Sequence, residues 1–184
     1  MFTTCTKKMF TTPAFVLGSC LLVFNASADV SGTIDASLTL SDGCVINGDP
    51  GSSDVSFGSI GFGAQPAIFD QVEGQVLGSG GSNGIEIQCS PGVNATFVIQ
   101  SGMHDGQGAS GQHAMKHAAE NDYIGYTLFS DAARTTSVQL NTPLALPEFT
   151  GNAQVLELWG MAWGNGAHNA GVYSDTLTVL LEMN

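Results

Sequence analysis

The chain has 184 residues, of which 43% are hydrophobic and only 11% are charged. Sixteen acidic residues outnumber four basic ones, so the formal net charge is −12 at neutral pH. A chain this acidic repels phosphate backbones and anionic lipid, which excludes nucleic-acid binding as its role.

The first predicted element is a signal peptide over residues 1–28. Lys7 and Lys8 form a basic start, residues 15–24 form a short apolar stretch, and residues 26–28 (ASA) match a cleavage site. The apolar stretch is too short to cross a bilayer, which takes about 20 apolar residues. We therefore expect an exported protein with no membrane span.

Residues 29–41 (DVSGTIDASLTLS) form the second predicted element, a strand. Small or apolar side chains occupy alternate positions, and this period of two is typical of a strand with one buried face. The members of the alternation are Val30, Gly32, Ile34, Ala36, Leu38 and Leu40. The pattern leaves two uses open, because such a strand completes either the sheet of its own chain or the sheet of a neighbouring copy.

Residues 42–184 are expected to form one domain. Short runs rich in Val, Ile, Phe, Thr and Leu recur between Gly, Asn, Ser and Pro residues, which predicts strands separated by turns. The runs are residues 44–47, 55–60, 67–72, 85–89, 95–100, 123–129, 138–140, 155–163 and 176–183. Only residues 112–120 (QHAMKHAAE) suggest a helix, of one or two turns. Together these elements predict an all-β, antiparallel sandwich of the immunoglobulin type.

The final predicted strand alternates up to the last residue of the sequence. Its inward-facing members are Leu177, Val179, Leu181 and Met183. Because no closing strand follows, we expect this sandwich to have an uncovered edge or groove.

Two cysteines, Cys44 and Cys89, follow the predicted signal peptide. An even pair in an exported protein predicts one disulfide bond.

No catalytic site is predicted, and we expect neither a cofactor nor a metal. Residues 80–84 match the GxSxG pattern and residues 106–111 match GxGxxG, but neither lies at the strand-to-helix turn that gives these motifs their chemistry. His113 and His117 would share one face of a helix as metal ligands, although an exposed turn is the favoured interpretation. Trp159 and Trp163 are expected in the core or lining a groove, with a sugar-binding platform as the alternative.

Two stretches of the C-terminal half resemble a known family. Residues 123–135 (YIGYTLFSDAART) and 173–179 (YSDTLTV) are similar to the YxLYxDxxRT and YxDTxxV motifs of the spore coat protein U domain. Within that family, the order of signal peptide, alternating strand, Cys44 and Cys89 resembles the major-type subunits of archaic chaperone–usher pili.

The resemblance implies an incomplete immunoglobulin-like sandwich that lacks its final strand. A periplasmic chaperone would cover the groove, and at an outer-membrane usher the N-terminal strand of the next identical or related subunit would replace it. The donor strand would be the alternating set from Val30 to Leu40, and the edge of the acceptor groove would be the set from Leu177 to Met183. The polymer would lie on the cell surface and support attachment and biofilm formation.

Two other functions stay open at this point. In one, the protein is a self-contained secreted coat or matrix protein in which residues 29–41 pair within their own chain. In the other, it is a secreted module that binds a glycan through Trp159 and Trp163.

Overall fold

A computed structural model describes residues 29–183 of the chain. The predicted signal peptide, residues 1–28, lies outside the described residues, and so does Asn184. The chain divides between Thr39 and Leu40 into two units, and the second unit contains the strands given below. Within the described part, no helix is long and apolar enough to span a membrane.

The second unit is built from twelve strands, counted over residues 29–183. They are β1 (Cys44–Ile46), β2 (Ser59–Ile60), β3 (Ile68–Leu77), β4 (Ile85–Cys89), β5 (Ala95–Gly102), β6 (His113–His117), β7 (Tyr123–Phe129), β8 (Leu144–Ala145), β9 (Gln154–Leu156), β10 (Trp159–Ala167), β11 (Tyr173–Ser174) and β12 (Leu177–Met183). Six strands form one sheet in the order β11-β6-β7-β10-β3-β2. The others form two three-stranded sheets, β1-β4-β9 and β12-β5-β8, and the paired strands are antiparallel throughout.

One hydrophobic core joins the three sheets. Strand β4 alternates strictly between buried and exposed residues, and its Ile85 and Ile87 pack with Phe97 of β5 and Leu128 of β7. Each such side chain contributes about 1.5–3 kcal/mol when it is fully buried. The prediction of an all-β fold with antiparallel sheets is confirmed.

The predicted helix at residues 112–120 is wrong. His113–His117 is strand β6, which pairs with β7 on one side and with β11 on the other. Backbone hydrogen bonds to two neighbouring strands outweigh the modest helix preference of this segment.

Several strand boundaries also differ from those expected. Residues 138–140 form no strand, and the single strand predicted at 155–163 is two strands, β9 and β10. The two-residue strands β8 and β11 were not predicted. Short edge strands carry too few residues for a period of two to be recognised.

The glycine motifs serve close packing of the backbone. The loop that holds residues 106–111 crosses strand β7, where a Cβ on Gly111, whose φ is +86°, would lie 2.5 Å from the carbonyl oxygen of Tyr126. In the GxSxG match, a Cβ on Gly84 would lie 2.9 Å from the carbonyl oxygen of Leu156, and Gly84 has a φ of +80°. These positions need glycine for space and backbone conformation, so the matches to catalytic motifs have a structural explanation.

Candidate functional site

Strand β12 is an edge strand. It pairs with β5 from Leu177 opposite Gly102 to Met183 opposite Ala95, and within residues 29–183 no strand pairs with its other side. The backbone N–H and C=O groups on that side are therefore available to a further strand.

The side chains of β12 alternate as predicted from the sequence. Leu177, Val179 and Leu181 are half-buried and pack against the core, whereas Met183 is 50% exposed. The four residues expected to form the edge of a groove thus alternate along the strand, and of the four only Met183 is exposed.

A groove of about 650 Å³ runs beside this face. Its other wall is formed by Cys44 and Ile46 of β1 and by the segment from Pro50 to Val55, so β1 and β12 lie on opposite sides of the same groove. At one end, the Cys44 Sγ and Met183 Sδ atoms are 3.4 Å apart.

A second cavity of about 400 Å³ continues along β12 toward Asp175. It shares Leu177, Val179 and Phe57 with the first cavity, so the two are neighbours along β12 and are together called the β12 groove below. Buried core residues, among them Phe97 and Leu128, line this part. The β12 groove therefore opens directly onto the hydrophobic core.

The disulfide predicted from the sequence is present. Cys44 and Cys89 are bonded and lie opposite each other in strands β1 and β4, with their Cα atoms 4.0 Å apart. The bond anchors β1, one wall of the β12 groove, to the centre of its sheet.

A buried polar cluster lies at the Asp175 end of the groove. The Tyr126 hydroxyl donates to Asp175 Oδ2 at 2.9 Å, and His104 Nδ1 lies 3.1 Å from Asp175 Oδ1. Burial of the Tyr126 hydroxyl, followed by the negative charges of Asp175 and Asp105, raises its pKa well above the usual range. Because Tyr126 and Asp175 belong to the two different sequence motifs, this hydrogen bond ties the motifs together.

A second polar cluster surrounds Asp122. Its carboxylate accepts hydrogen bonds from the Tyr173 hydroxyl at 2.6 Å, the Asn169 backbone N–H at 2.7 Å and His168 Nδ1 at 2.9 Å. Burial acts to raise the pKa of Asp122, but these hydrogen bonds outweigh it and hold the pKa well below the usual range. Burial and the bond to Asp122 raise the pKa of Tyr173 to about 12.

Asp131 belongs to the first motif and holds a turn in place. Its carboxylate accepts hydrogen bonds from the backbone N–H groups of Thr135 and Thr136, and these bonds lower its pKa. Arg134 of the same turn lies 3.0 Å from the Glu73 carboxylate. The polar residues of both motifs are therefore explained by the packing of turns and sheets.

The two histidines considered as metal ligands are far apart. His113 and His117 stand four residues apart on β6, which places their Cα atoms about 13 Å apart. His113 Nδ1 is 2.7 Å from Asp105, and His117 Nδ1 accepts the backbone N–H of Glu120 at 2.8 Å. Across residues 29–183, no group of three His, Cys, Asp or Glu side chains could hold a metal ion.

The predicted N-terminal strand is not formed. Residues 29–43 contain no strand in the structure, and each of them is exposed. The large apolar members of the alternating set, Val30, Ile34, Leu38 and Leu40, are between 83% and 98% exposed. The role of this segment as a donor strand stays a prediction.

Other residues of the groove were missed from the sequence. Val55 and Phe57 line both parts of it, and the turn at residues 50–54 lines the larger part, although the run at 55–60 is predicted only as a strand. The alternation of Val55 and Phe57 with small polar residues could have indicated that these two side chains share one apolar face. Their place opposite β12 depends on the fold.

Trp159 and Trp163 lie neither in the core nor in the groove. Both are half-buried on β10, and their neighbours Gly160, Ala162 and Gly164 point to the opposite, buried face. The expectation of core or groove-lining aromatics was therefore wrong, and the two indoles lie on the outer face of the six-stranded sheet.

Comparison with known proteins gives a matching family model and similar solved structures. The family model of the Spore Coat Protein U domain matches residues 30–180. Among solved structures, the chain is similar to the CsuC–CsuE chaperone–tip adhesion subunit pre-assembly complex from archaic chaperone–usher Csu pili of Acinetobacter baumannii, with 20% identity and a TM-score of 0.47. The similarity covers 78% of this chain and 40% of that one. No curated protein matches the sequence significantly.

Proposed function

The chain belongs to the Spore Coat Protein U domain family, and from this premise we propose that it is a structural, non-enzymatic subunit of a surface pilus. Residues 29–41 of one copy add as a strand to the β12 groove of the next copy, which is donor-strand complementation. A periplasmic chaperone occupies the groove first, and the exchange takes place at an outer-membrane usher. The resulting fibre supports adhesion and biofilm formation.

The observation that carries this proposal is the β12 groove itself. One side of β12 has no partner strand within residues 29–183, and core residues such as Phe97 line the groove beside it. Folded proteins ordinarily cover such an edge, because unpaired backbone groups and open apolar surface promote association. A strand added along β12 would pair its free backbone groups and cover the open apolar surface at the same time.

The alternating segment has the length that this groove requires. From Asp175 to Met183 the groove follows nine residues, or about 26 Å at 3.3 Å per residue. Inward side chains repeat about every 6.6 Å along a strand, so four or five fit into the groove. The six in-phase positions from Val30 to Leu40 fill it and leave one or two beyond its end.

The exchange needs no nucleotide. Burying Ile34, Leu38 and Leu40, which are at least 83% exposed in the structure, would contribute roughly 5–9 kcal/mol before ordering costs. Backbone hydrogen bonds to the free side of β12 add to this gain. Replacement of a chaperone strand by a better-fitting strand can therefore drive assembly.

The test compares two substitutions at adjacent positions. Leu38→Asp places a charge on the inward face of the segment and is expected to abolish fibres, while the complex with the chaperone stays intact. Ser37→Asp adds the same charge on the opposite face and is expected to leave assembly unchanged. Fibres are scored by electron microscopy, and the chaperone complex by co-purification from the periplasm.

Three results would contradict the proposal. The first is that chains with Leu38→Asp still form fibres, and the second is that both variants lose fibres equally. The unmodified chain could also purify without a chaperone as a stable monomer, which would favour the self-contained coat protein.

A further inference from the structure

We propose that the outer face of the six-stranded sheet carries a separate binding site for a neutral polysaccharide, centred on Trp159 and Trp163. Met161 lies between them on the same face of β10, and the three side chains form a ridge that is half-buried and outside the core. The ridge belongs to β10 in the six-stranded sheet, and none of its residues lines the β12 groove.

The neighbouring strand supplies polar groups in register with the ridge. On β3, Gln75 stands opposite Trp159 and Gln71 stands opposite Trp163. Gln71 is exposed and Gln75 is half-buried, like the two tryptophans themselves. The ridge therefore offers aromatic surface beside amide donors and acceptors.

This combination fits a sugar. A pyranose ring presents an apolar C–H face, which packs on an indole, and a rim of hydroxyls, which pair with amide and indole N–H groups. Trp159 and Trp163 are four residues apart on a strand, or about 13 Å. Two indoles at that distance contact two different rings of one chain, which favours a polysaccharide over a single sugar.

The charges at and around the ridge favour a neutral ligand over an anionic one. Glu73 stands opposite Met161 in the middle of the site, and Arg134 is 3.0 Å from its carboxylate, so the positive charge at this face is already paired. The net charge of −12 repels anionic glycans. The flanking residues on β3 are two glutamines and a glutamate, whose amide and carboxylate groups can pair with the hydroxyls of a sugar.

The chain has a built-in reporter for this site, because its two tryptophans are the ridge residues themselves. Titration of the purified chain with cellohexaose, laminarihexaose or maltohexaose is expected to shift the tryptophan emission with at least one of them. Alginate oligomers are expected to give no shift. Isothermal titration calorimetry on the hexasaccharide that responds then measures the affinity of the variants.

Trp159→Ala and Trp163→Ala are each expected to weaken binding tenfold or more, and Gln71→Ala severalfold. Trp159→Phe keeps an aromatic face and is expected to retain part of the affinity, which preserves the test where an alanine variant does not fold. Met103→Ala, at an exposed apolar residue outside the ridge, is the control and should bind like the unmodified chain.

Three results would overturn the proposal. The first is that none of the three hexasaccharides shifts the emission, and the second is that alginate binds more tightly than they do. The third is that binding persists in the double variant Trp159→Ala/Trp163→Ala. Since the ridge does not take part in strand exchange, Leu38→Asp should leave binding unchanged, so this test succeeds or fails independently of the pilus proposal.

Discussion

The hydrogen bond between Tyr126 and Asp175 gives a stability prediction that depends on the fold alone. The hydroxyl donates to Asp175 Oδ2 at 2.9 Å, and the Asp175 side chain is only 2% exposed. Tyr126→Phe removes this donor and keeps the ring in the core. His104 Nδ1 then remains beside the carboxylate at 3.1 Å.

The expected loss of stability in Tyr126→Phe follows from the fact that the hydroxyl donates to a charged group. A hydrogen bond to a charged group contributes about 1.5–3 kcal/mol, and a buried carboxylate that loses one partner incurs the desolvation cost in full. We expect Tyr126→Phe to lower the free energy of unfolding by about 2 kcal/mol. For a chain of this size, that corresponds to a fall in Tm of about 4–8 °C.

Tyr123→Phe is the matched control on the same strand. Its hydroxyl donates to Asn121 at 3.1 Å in an exposed turn, so its removal should cost less than about 0.5 kcal/mol. Guanidinium unfolding of both variants in the same preparation measures the difference. Equal losses in the two variants, or a loss below about 0.5 kcal/mol for Tyr126→Phe, would refute the argument.

Two further predictions concern stability. Replacing Cys44 and Cys89 by serine frees a loop with a sequence separation of 45 and is expected to lower the free energy of unfolding by about 4 kcal/mol in the chain-entropy model; an unchanged guanidinium midpoint would contradict it. Because the pKa of Asp122 is lower in the folded chain than in the unfolded chain, its ionised form stabilises the fold above about pH 4, and this contribution is lost as the pH falls further. The difference in unfolding free energy between the unmodified chain and Asp122→Asn should therefore be full at neutral pH and shrink in acid, and a difference that grows in acid would contradict the assignment.

Much of the fold could be predicted because its signals are local. The bounds of β4 and β7 agree with the predicted runs at 85–89 and 123–129. Strand β4 alternates strictly, β7 is a run of β-branched, aromatic and other apolar residues, and turn residues flank both. The disulfide followed from cysteine number and compartment. The inward face of β12 followed from the alternation of Leu177, Val179 and Leu181.

The errors occurred where distant contacts decide the outcome. Residues 112–120 favour a helix by composition, but β7 and β11 supply hydrogen bonds on both sides of β6. Trp159 and Trp163 were placed in the core or a groove because aromatic residues are usually buried. Alternation identifies the residues that lie on one face of a strand. It does not show which of the two faces packs against the rest of the protein.

The sequence by itself determined the strand class, the disulfide and the alternating faces, because each depends on neighbours along the chain or on cysteine number. Only the tertiary structure decided that Cys44 and Met183, 139 positions apart, line the same groove. It also decided that Gly160 and Ala162 turn inward, leaving the tryptophans on the outer face. Both outcomes depend on which strands pair and pack together, and a period of two specifies the face of a strand without specifying its neighbour.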